Sequence, residues 1–140
     1  MLRRKRPFTS LQTPATSPAP LSGQGRADSV GQSLKTKLLF VCSRNRWRSP
    51  TAEALFKNHP QYDARSAGTS DTARIKVTAR HLNWADLIFC MERKHADLLR
   101  ERFPEESAGK KIITLRIPDD YTFMDPALTE LLRTELAAYL

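Results

Sequence analysis

One eight-residue segment carries a nucleophile and cations at a spacing suited to phosphate chemistry. It follows a short apolar run and reads Cys42-Ser43-Arg44-Asn45-Arg46-Trp47-Arg48-Ser49. A loop wrapped at a helix N-terminus points several backbone N–H groups at one spot, where the helix dipole also favours negative charge. Such a loop is expected to bind a phosphoryl group and to stabilise a thiolate.

The two ends of this segment supply the candidate catalytic groups. Cys42 would attack phosphorus, and the planar fork of Arg48 would bind two phosphoryl oxygens and offset the charge of the transition state. Ser49 would donate a hydrogen bond to the departing thiolate. An inert core cysteine and a surface arginine are the structural alternatives for Cys42 and Arg48.

The middle of the segment supplies candidate phosphate-binding or substrate-binding residues, namely Ser43, Arg44, Asn45, Arg46 and Trp47. Arg44 and Arg46 either recruit an acidic substrate or form a solvated basic rim without a selective role. Trp47 either packs against its surroundings or offers a platform to an aromatic substrate.

Alternating apolar segments predict the elements that position this loop. Lys37–Val41 is typical of a buried parallel strand, and a helix should follow, with Ser49 at its N-cap and Pro50 at its first position. Further strands are predicted at Tyr62–Ala67, Ala85–Met91 and Lys111–Ile117, and helices at Val77–Leu82, at Arg93–Phe103 and from Asp125 onwards. This alternation indicates an α/β fold with a parallel sheet between helices, whose ligands bind at the carboxyl ends of the strands.

The ends of strands in this pattern also present candidate acids. Asp125 comes after the loop that follows the fourth strand, as Cys42 comes after the first. Because Asp-Pro is an ordinary helix start, Asp125 is a helix cap, a general acid or both. Asp119 and Asp120 are the alternative acids.

Composition separates a basic tail from one domain. The chain of 140 residues has a net charge of +8, of which residues 1–36 contribute +5. That segment is rich in Pro, Ser and Thr and is predicted to be a disordered tail. It is an inert tail, an electrostatic tether or a targeting peptide. Residues 37–140 are predicted to form the catalytic domain. With the basicity mostly in the tail, no nucleic-acid partner is expected, and neither is a membrane, since no apolar run of about 20 residues occurs.

The two cysteines and three histidines of the chain predict neither a metal site nor a disulfide framework. Cys42 and Cys90 are far apart, and three scattered histidines show no metal-ligand spacing. We expect a cytoplasmic protein with reduced thiols, no metal and no cofactor.

The segment Val41–Pro50, with its Cys-x5-Arg-Ser-Pro core, resembles the signature of the low-molecular-weight protein tyrosine phosphatases. Ser66-Ala67-Gly68-Thr69, Asp86–Met91 and Asp125-Pro126 resemble three further segments of that family, in its order. The resemblance implies a three-layer, four-stranded parallel sheet of order 2-1-3-4 and hydrolysis of phosphomonoesters, on a phosphorylated protein or a small aryl phosphate, through a cysteinyl-phosphate. It also implies Cys42 as nucleophile, Arg48 as phosphate clamp and Asp125 as general acid. Asn45 and Ser49 would shape the loop, and Ser66 would pack beneath it.

The chain departs from the family at several places. Arg44 stands where the family usually has glycine, and Trp47 where it has a second cysteine. Ala127 and Leu128 replace two tyrosines, and the connection after Gly68 is short. Two other functions stay open: an arsenate reductase that uses an external thiol, and a phosphate- or phosphoprotein-binding module without turnover.

Overall fold

The computed structural model describes residues 35–140. The predicted tail, residues 1–36, lies outside the described residues except for its last two, and β1 begins at Thr36. The strands are β1 (Thr36–Cys42), β2 (Tyr62–Gly68), β3 (Leu87–Cys90) and β4 (Lys111–Thr114). The helices are α1 (Arg48–Leu55), α2 (Ala79–Trp84), α3 (Arg93–Arg102), α4 (Pro104–Ala108) and α5 (Pro126–Leu136).

All four strands pair in parallel, in the order β2-β1-β3-β4, which confirms the predicted topology. The register places Cys42 opposite Gly68 on one side, and Val41 opposite Cys90 on the other. Three strands therefore end at the same edge of the sheet as the loop that starts at Cys42.

Alternate residues of β1 enter two separate hydrophobic cores, one on each face of the sheet. Leu38 and Phe40 pack with residues of α1 and α5. Leu39 and Val41 pack with residues of α2 and α3. Because successive strand residues point to opposite faces, helices cover both sides, and the three-layer prediction is confirmed.

One local prediction is wrong. The first helix begins at Arg48, with Trp47 at the N-cap and no side-chain cap, instead of being capped by Ser49. The Ser49 hydroxyl turns back into the loop, where it is needed to bond other loop groups. The helix predicted at Arg93–Phe103 is confirmed as α3, and a short helix that was not predicted, α4, begins directly after it at Pro104, because a proline is well tolerated at a first helical position.

Among residues 35–140, no helix is long and apolar enough to cross a membrane. The same range contains no group of three or more His, Cys, Asp or Glu side chains arranged to hold a metal ion.

Candidate active site

The loop between β1 and α1 is held by the segment Thr69–Arg74, which directly follows β2. This segment donates hydrogen bonds to the carbonyl oxygens of four consecutive loop residues. The bonds run from Thr69 N to Cys42 O (2.9 Å), Ser70 N to Ser43 O (2.8 Å), Arg74 N to Arg44 O (3.0 Å) and Arg74 Nε to Asn45 O (3.1 Å). With its carbonyl groups engaged on this side, the loop keeps its N–H groups for a ligand on the other.

Gly68 permits this close approach. A Cβ atom built at Gly68 would lie 2.5 Å from the Ser43 carbonyl oxygen and 2.7 Å from the Ala73 Cβ. Any side chain here would push the loop and the bracing segment apart. The loop itself makes its sharpest turn at Asn45, which adopts a left-handed conformation with φ 55°.

The Cys42 sulfur accepts hydrogen bonds from two loop groups. The Asn45 N–H lies 3.2 Å from Cys42 Sγ, and the Ser49 hydroxyl lies 2.9 Å from it. The Asn45 side-chain amide donates to Ser49 Oγ at 2.9 Å, which leaves the hydroxyl proton of Ser49 for the sulfur. This chain runs from amide to hydroxyl to sulfur, and each donor polarises the next.

Arg48 is buried, with 2% of its side chain exposed, and two of its guanidinium nitrogens, Nη1 and Nε, lie next to oxygens of the protein. Nη1 donates to the Ile117 carbonyl at 2.8 Å and lies 3.1 Å from Glu92 Oε1. Nε lies 3.6 Å from Asp119 Oδ1, whose side chain is 61% exposed. Nη2 makes no hydrogen bond to the described residues, so this nitrogen remains available to an anion.

Glu92 follows β3 and provides the carboxylate behind Arg48. Burial opposes ionisation of Glu92, yet the adjacent positive charge of Arg48, with that of Lys94 adding, holds the pKa of this carboxyl below its ordinary value. Glu92 therefore stays anionic at neutral pH and keeps the guanidinium oriented.

His95 connects α3 to the loop. Its Nδ1 accepts the Glu92 backbone N–H at 3.1 Å, so the ring proton sits on Nε2, which donates to Ser43 Oγ at 2.9 Å. Burial, together with the charge of Arg48, lowers the pKa of His95 to about 4. The imidazole is thus neutral at pH 7 and acts as a fixed donor to the loop.

Asp125 lies at the N-cap of α5, where its Oδ1 accepts the Ala127 N–H at 2.9 Å. The preceding residue, Met124, donates its N–H to the Thr51 hydroxyl at 2.9 Å, which joins this segment to the first turn of α1. No hydrogen bond or ion pair joins Asp125 to Cys42 or Arg48, whereas Asp119 lies beside the guanidinium.

Ser66 and the outer loop residues lie around this centre. Ser66 is buried in β2 and donates to Glu53 Oε1 at 2.5 Å, so it secures the helix after the loop. The Trp47 ring is 38% exposed, and the Arg46 guanidinium lies over it, 5.2 Å from its centroid. Arg44 is exposed too, so the loop presents an aromatic ring and two arginines to solvent.

No family model matches this chain. A protein-arginine-phosphatase of Geobacillus stearothermophilus is 32% identical over 104 residues, which cover 57% of this chain and 69% of that protein. The structure of the YwlE arginine phosphatase from the same organism superimposes with a TM-score of 0.52 at 26% identity, covering 75% of this chain and 97% of that one. A low-molecular-weight protein tyrosine phosphatase of Streptococcus pyogenes shares the fold, with a TM-score of 0.60 at 21% identity over 75% and 93% of the two chains.

The chain belongs to the low-molecular-weight protein tyrosine phosphatase family. It is a phosphatase of the cysteine-dependent class. The other two functions that its sequence left open, an arsenate reductase and a binding module without turnover, are not favoured by these relatives.

Several groups at the centre of this phosphatase escape analysis of the sequence. Glu92, His95 and the bracing segment Thr69–Arg74 all belong to them. Only Glu92 left a usable signal, since a carboxylate directly after the third strand must lie at the same sheet edge as Cys42. His95 comes from inside a helix, and Arg74 from a connection without any periodic pattern.

Proposed function

We propose that this phosphatase removes phosphoryl groups from phosphorylated protein side chains, phosphotyrosine first among them, through a cysteinyl-phosphate on Cys42. One observation supports the proposal above the others. The Cys42 sulfur accepts two hydrogen bonds inside a loop that lies beside a buried arginine with a free nitrogen. The carbonyl groups of loop residues 42–45 are bonded to the bracing segment and so point away from the sulfur.

In the first step the Cys42 thiolate attacks phosphorus. The S–P bond forms while the P–O bond to the leaving group breaks, and the leaving oxygen takes the proton of Asp125. Arg48 binds the phosphoryl group through its free Nη2, and the loop N–H groups of residues 43–49 bind the remaining phosphoryl oxygens. Negative charge that builds up on these oxygens thus meets fixed donors.

In the second step water attacks the phosphorus of the intermediate. The Asp125 carboxylate now accepts a proton from this water, the S–P bond breaks, and its electrons return to Cys42. Ser49 and the Asn45 N–H stabilise the released thiolate, at the distances already given. Asp119 is the alternative acid, since it lies beside Arg48.

Phosphotyrosine is favoured by the charge at the mouth of the loop. Arg44 and Arg46 are exposed and pair with no acidic side chain among the residues that the structure describes. They attract the phosphate dianion and tolerate a neutral phenol. The exposed ring of Trp47 offers a stacking surface for such a phenol.

Phosphoarginine is the second candidate, because the relative with 32% identity is a protein-arginine-phosphatase. Its leaving group carries a positive guanidinium, which Arg44 and Arg46 repel. Turnover of two peptides with the same flanking residues, one phosphotyrosyl and one phosphoarginyl, distinguishes these substrates.

Turnover of p-nitrophenyl phosphate by the wild type and by Cys42→Ser tests the reaction itself. We expect activity only in the wild type, and alkylation of Cys42 by iodoacetate that vanadate prevents. Equal turnover by both proteins, or alkylation indifferent to vanadate, would contradict the role of Cys42.

We also place the enzyme in the cytoplasm. Both cysteines of the described residues are free thiols, and Cys42 must stay reduced to act. Immunodetection in fractionated cells tests the placement, and recovery in a secreted or periplasmic fraction would contradict it.

A further inference from the structure

A groove opens beside the phosphate-binding loop and continues along α1 towards β2. It has a volume of about 650 Å³, and Arg46, Arg74 and Phe123 line it together with residues of α1 and β2. Arg46 belongs to the loop, and Arg74 bonds to it, so these two side chains mark the end of the groove next to Cys42.

The two arginines of the groove lack counter-charges. Neither Arg46 nor Arg74 forms an ion pair with any acidic side chain of residues 35–140, whereas the nearby Lys76 pairs with Asp71 at 2.7 Å. Arg74 is fixed by its Nε, which donates to the Asn45 carbonyl, and its two terminal nitrogens form no hydrogen bond within residues 35–140. A guanidinium held in place with free N–H groups is preorganised for a carboxylate.

The acids of the same groove do not neutralise these arginines. Glu53 accepts the Ser66 hydroxyl on the β2 side of α1. Asp63 pairs in register with Lys37, five residues before Cys42 along β1, and is thus about 17 Å from the loop at about 3.3 Å per residue. With Lys57 as a third cation of its lining, the groove carries three cations against these two acids and is net positive as a whole.

Phe123 adds an apolar wall to the groove, with 52% of its surface exposed. A groove with a charged end and an apolar wall fits a side chain that has an aliphatic stem and an anionic head. Glutamate and aspartate have this chemistry, and in a protein substrate they would lie within a residue or two of the phosphorylated side chain.

We propose that Arg46 and Arg74 form a subsite for an acidic side chain that flanks the phosphorylated residue of a protein substrate. The inference rests on the proposed function and names the sequence context that the same site selects. Arg74 then has two tasks, since its Nε positions the loop while its outer nitrogens bind substrate.

The test compares two phosphotyrosyl peptides that differ only in having Glu or Gln on both sides of the phosphotyrosine. For each enzyme variant the ratio of kcat/KM for the two peptides is taken, so that any general damage to the loop cancels. We expect the wild type to prefer Glu about tenfold and Arg46→Gln or Arg74→Gln to lower the preference to about threefold, since an exposed pair contributes up to about fivefold. The double variant should show none.

Arg80→Gln is the matched control, because Arg80 is exposed on α2 and does not line the groove. It should keep the full preference, and about 0.5 M NaCl should reduce the preference of the wild type by screening. A ratio near one in the wild type, or an unchanged ratio in the double variant, would overturn the subsite. A failure to hydrolyse either peptide would overturn the subsite together with phosphotyrosine as the substrate.

These failures differ from a failure of the proposed function. If p-nitrophenyl phosphate and both peptides are still hydrolysed in a Cys42-dependent way, the proposed function stands and only the subsite is wrong. If no substrate shows Cys42-dependent turnover, the mechanism itself is wrong.

Discussion

Gly68→Ala tests whether the bracing segment sets the geometry of the phosphate-binding loop. The added methyl group would lie 2.5 Å from Ser43 O, 2.7 Å from the Ala73 Cβ and 3.0 Å from the Asn45 N. Ordinary contacts begin near 3.4 Å, so loop and brace must separate by about 0.9 Å. That separation strains the bonds to the Cys42 and Ser43 carbonyl oxygens, now 2.9 and 2.8 Å long.

Two magnitudes follow from this displacement. A misplacement of about 1 Å at reacting groups costs about 10²-fold in rate, so kcat/KM for p-nitrophenyl phosphate should fall by that factor. Overpacking should also lower the free energy of unfolding by about 1–3 kcal/mol. Vanadate should bind more weakly, because the N–H groups of the loop no longer converge.

The chain offers matched controls for Gly68→Ala. Gly109 has open space around the position of a Cβ, so Gly109→Ala should leave activity unchanged. Leu82 is fully buried on α2, and Leu82→Ala should cost stability, about 2–5 kcal/mol, without a comparable loss of activity in the folded fraction. Urea titration and kinetics on the same samples separate the effects. Wild-type kcat/KM and vanadate affinity in Gly68→Ala would refute the argument.

Three further predictions concern single groups of the site. Peroxide should convert Cys42 to sulfenic and then sulfinic acid without forming a disulfide to Cys90, which mass spectrometry of the products checks. The reason is that the two thiols belong to hydrophobic cores on opposite faces of the sheet. Asp125→Asn should lower turnover of tyrosyl phosphate about 10²–10⁴-fold and that of p-nitrophenyl phosphate far less, because only the poorer leaving group needs the proton. The pKa of His95 is about 4 in the folded protein and about 6.5 in the unfolded chain, so the unfolded chain binds this proton more tightly. The free energy of unfolding should therefore fall by about 3 kcal/mol as the pH drops from about 6.5 to about 4, which urea titrations measure.

Each of these predictions has its own control. A dominant Cys42–Cys90 disulfide after peroxide treatment would contradict the first. For the second, equal small losses on both substrates would mean that Asp125 only caps α5, and Asp119→Asn then becomes the decisive variant. For the third, His95→Gln should lose the acid-dependent fall that the wild type shows over this range. An identical fall in both proteins would assign it to other groups.

The sequence alone predicted the chemistry of the loop from Cys42 to Ser49, and it determined the order of the elements around that loop. Cys42 and Arg48 are six positions apart, so the chain itself keeps them close whatever lies elsewhere. The alternation of apolar segments was enough to predict a parallel sheet between helices, because strands and helices bury apolar side chains with different periods. The exact ends differed, as at the helix that begins at Arg48, and the short helix α4 was not predicted.

The tertiary structure decided which distant groups serve that loop. Ser43 is hydrogen-bonded to His95, which lies 52 positions away in the sequence. Arg48 forms an ion pair with Glu92, and the Asn45 carbonyl accepts a hydrogen bond from Arg74. Such contacts depend on which strands are neighbours and on their register, and a shift of one residue would turn every side chain of a strand to the other face. A local sequence pattern does not determine that register, so the roles of the bracing segment and of the carboxylate behind Arg48 could be assigned only from the folded structure.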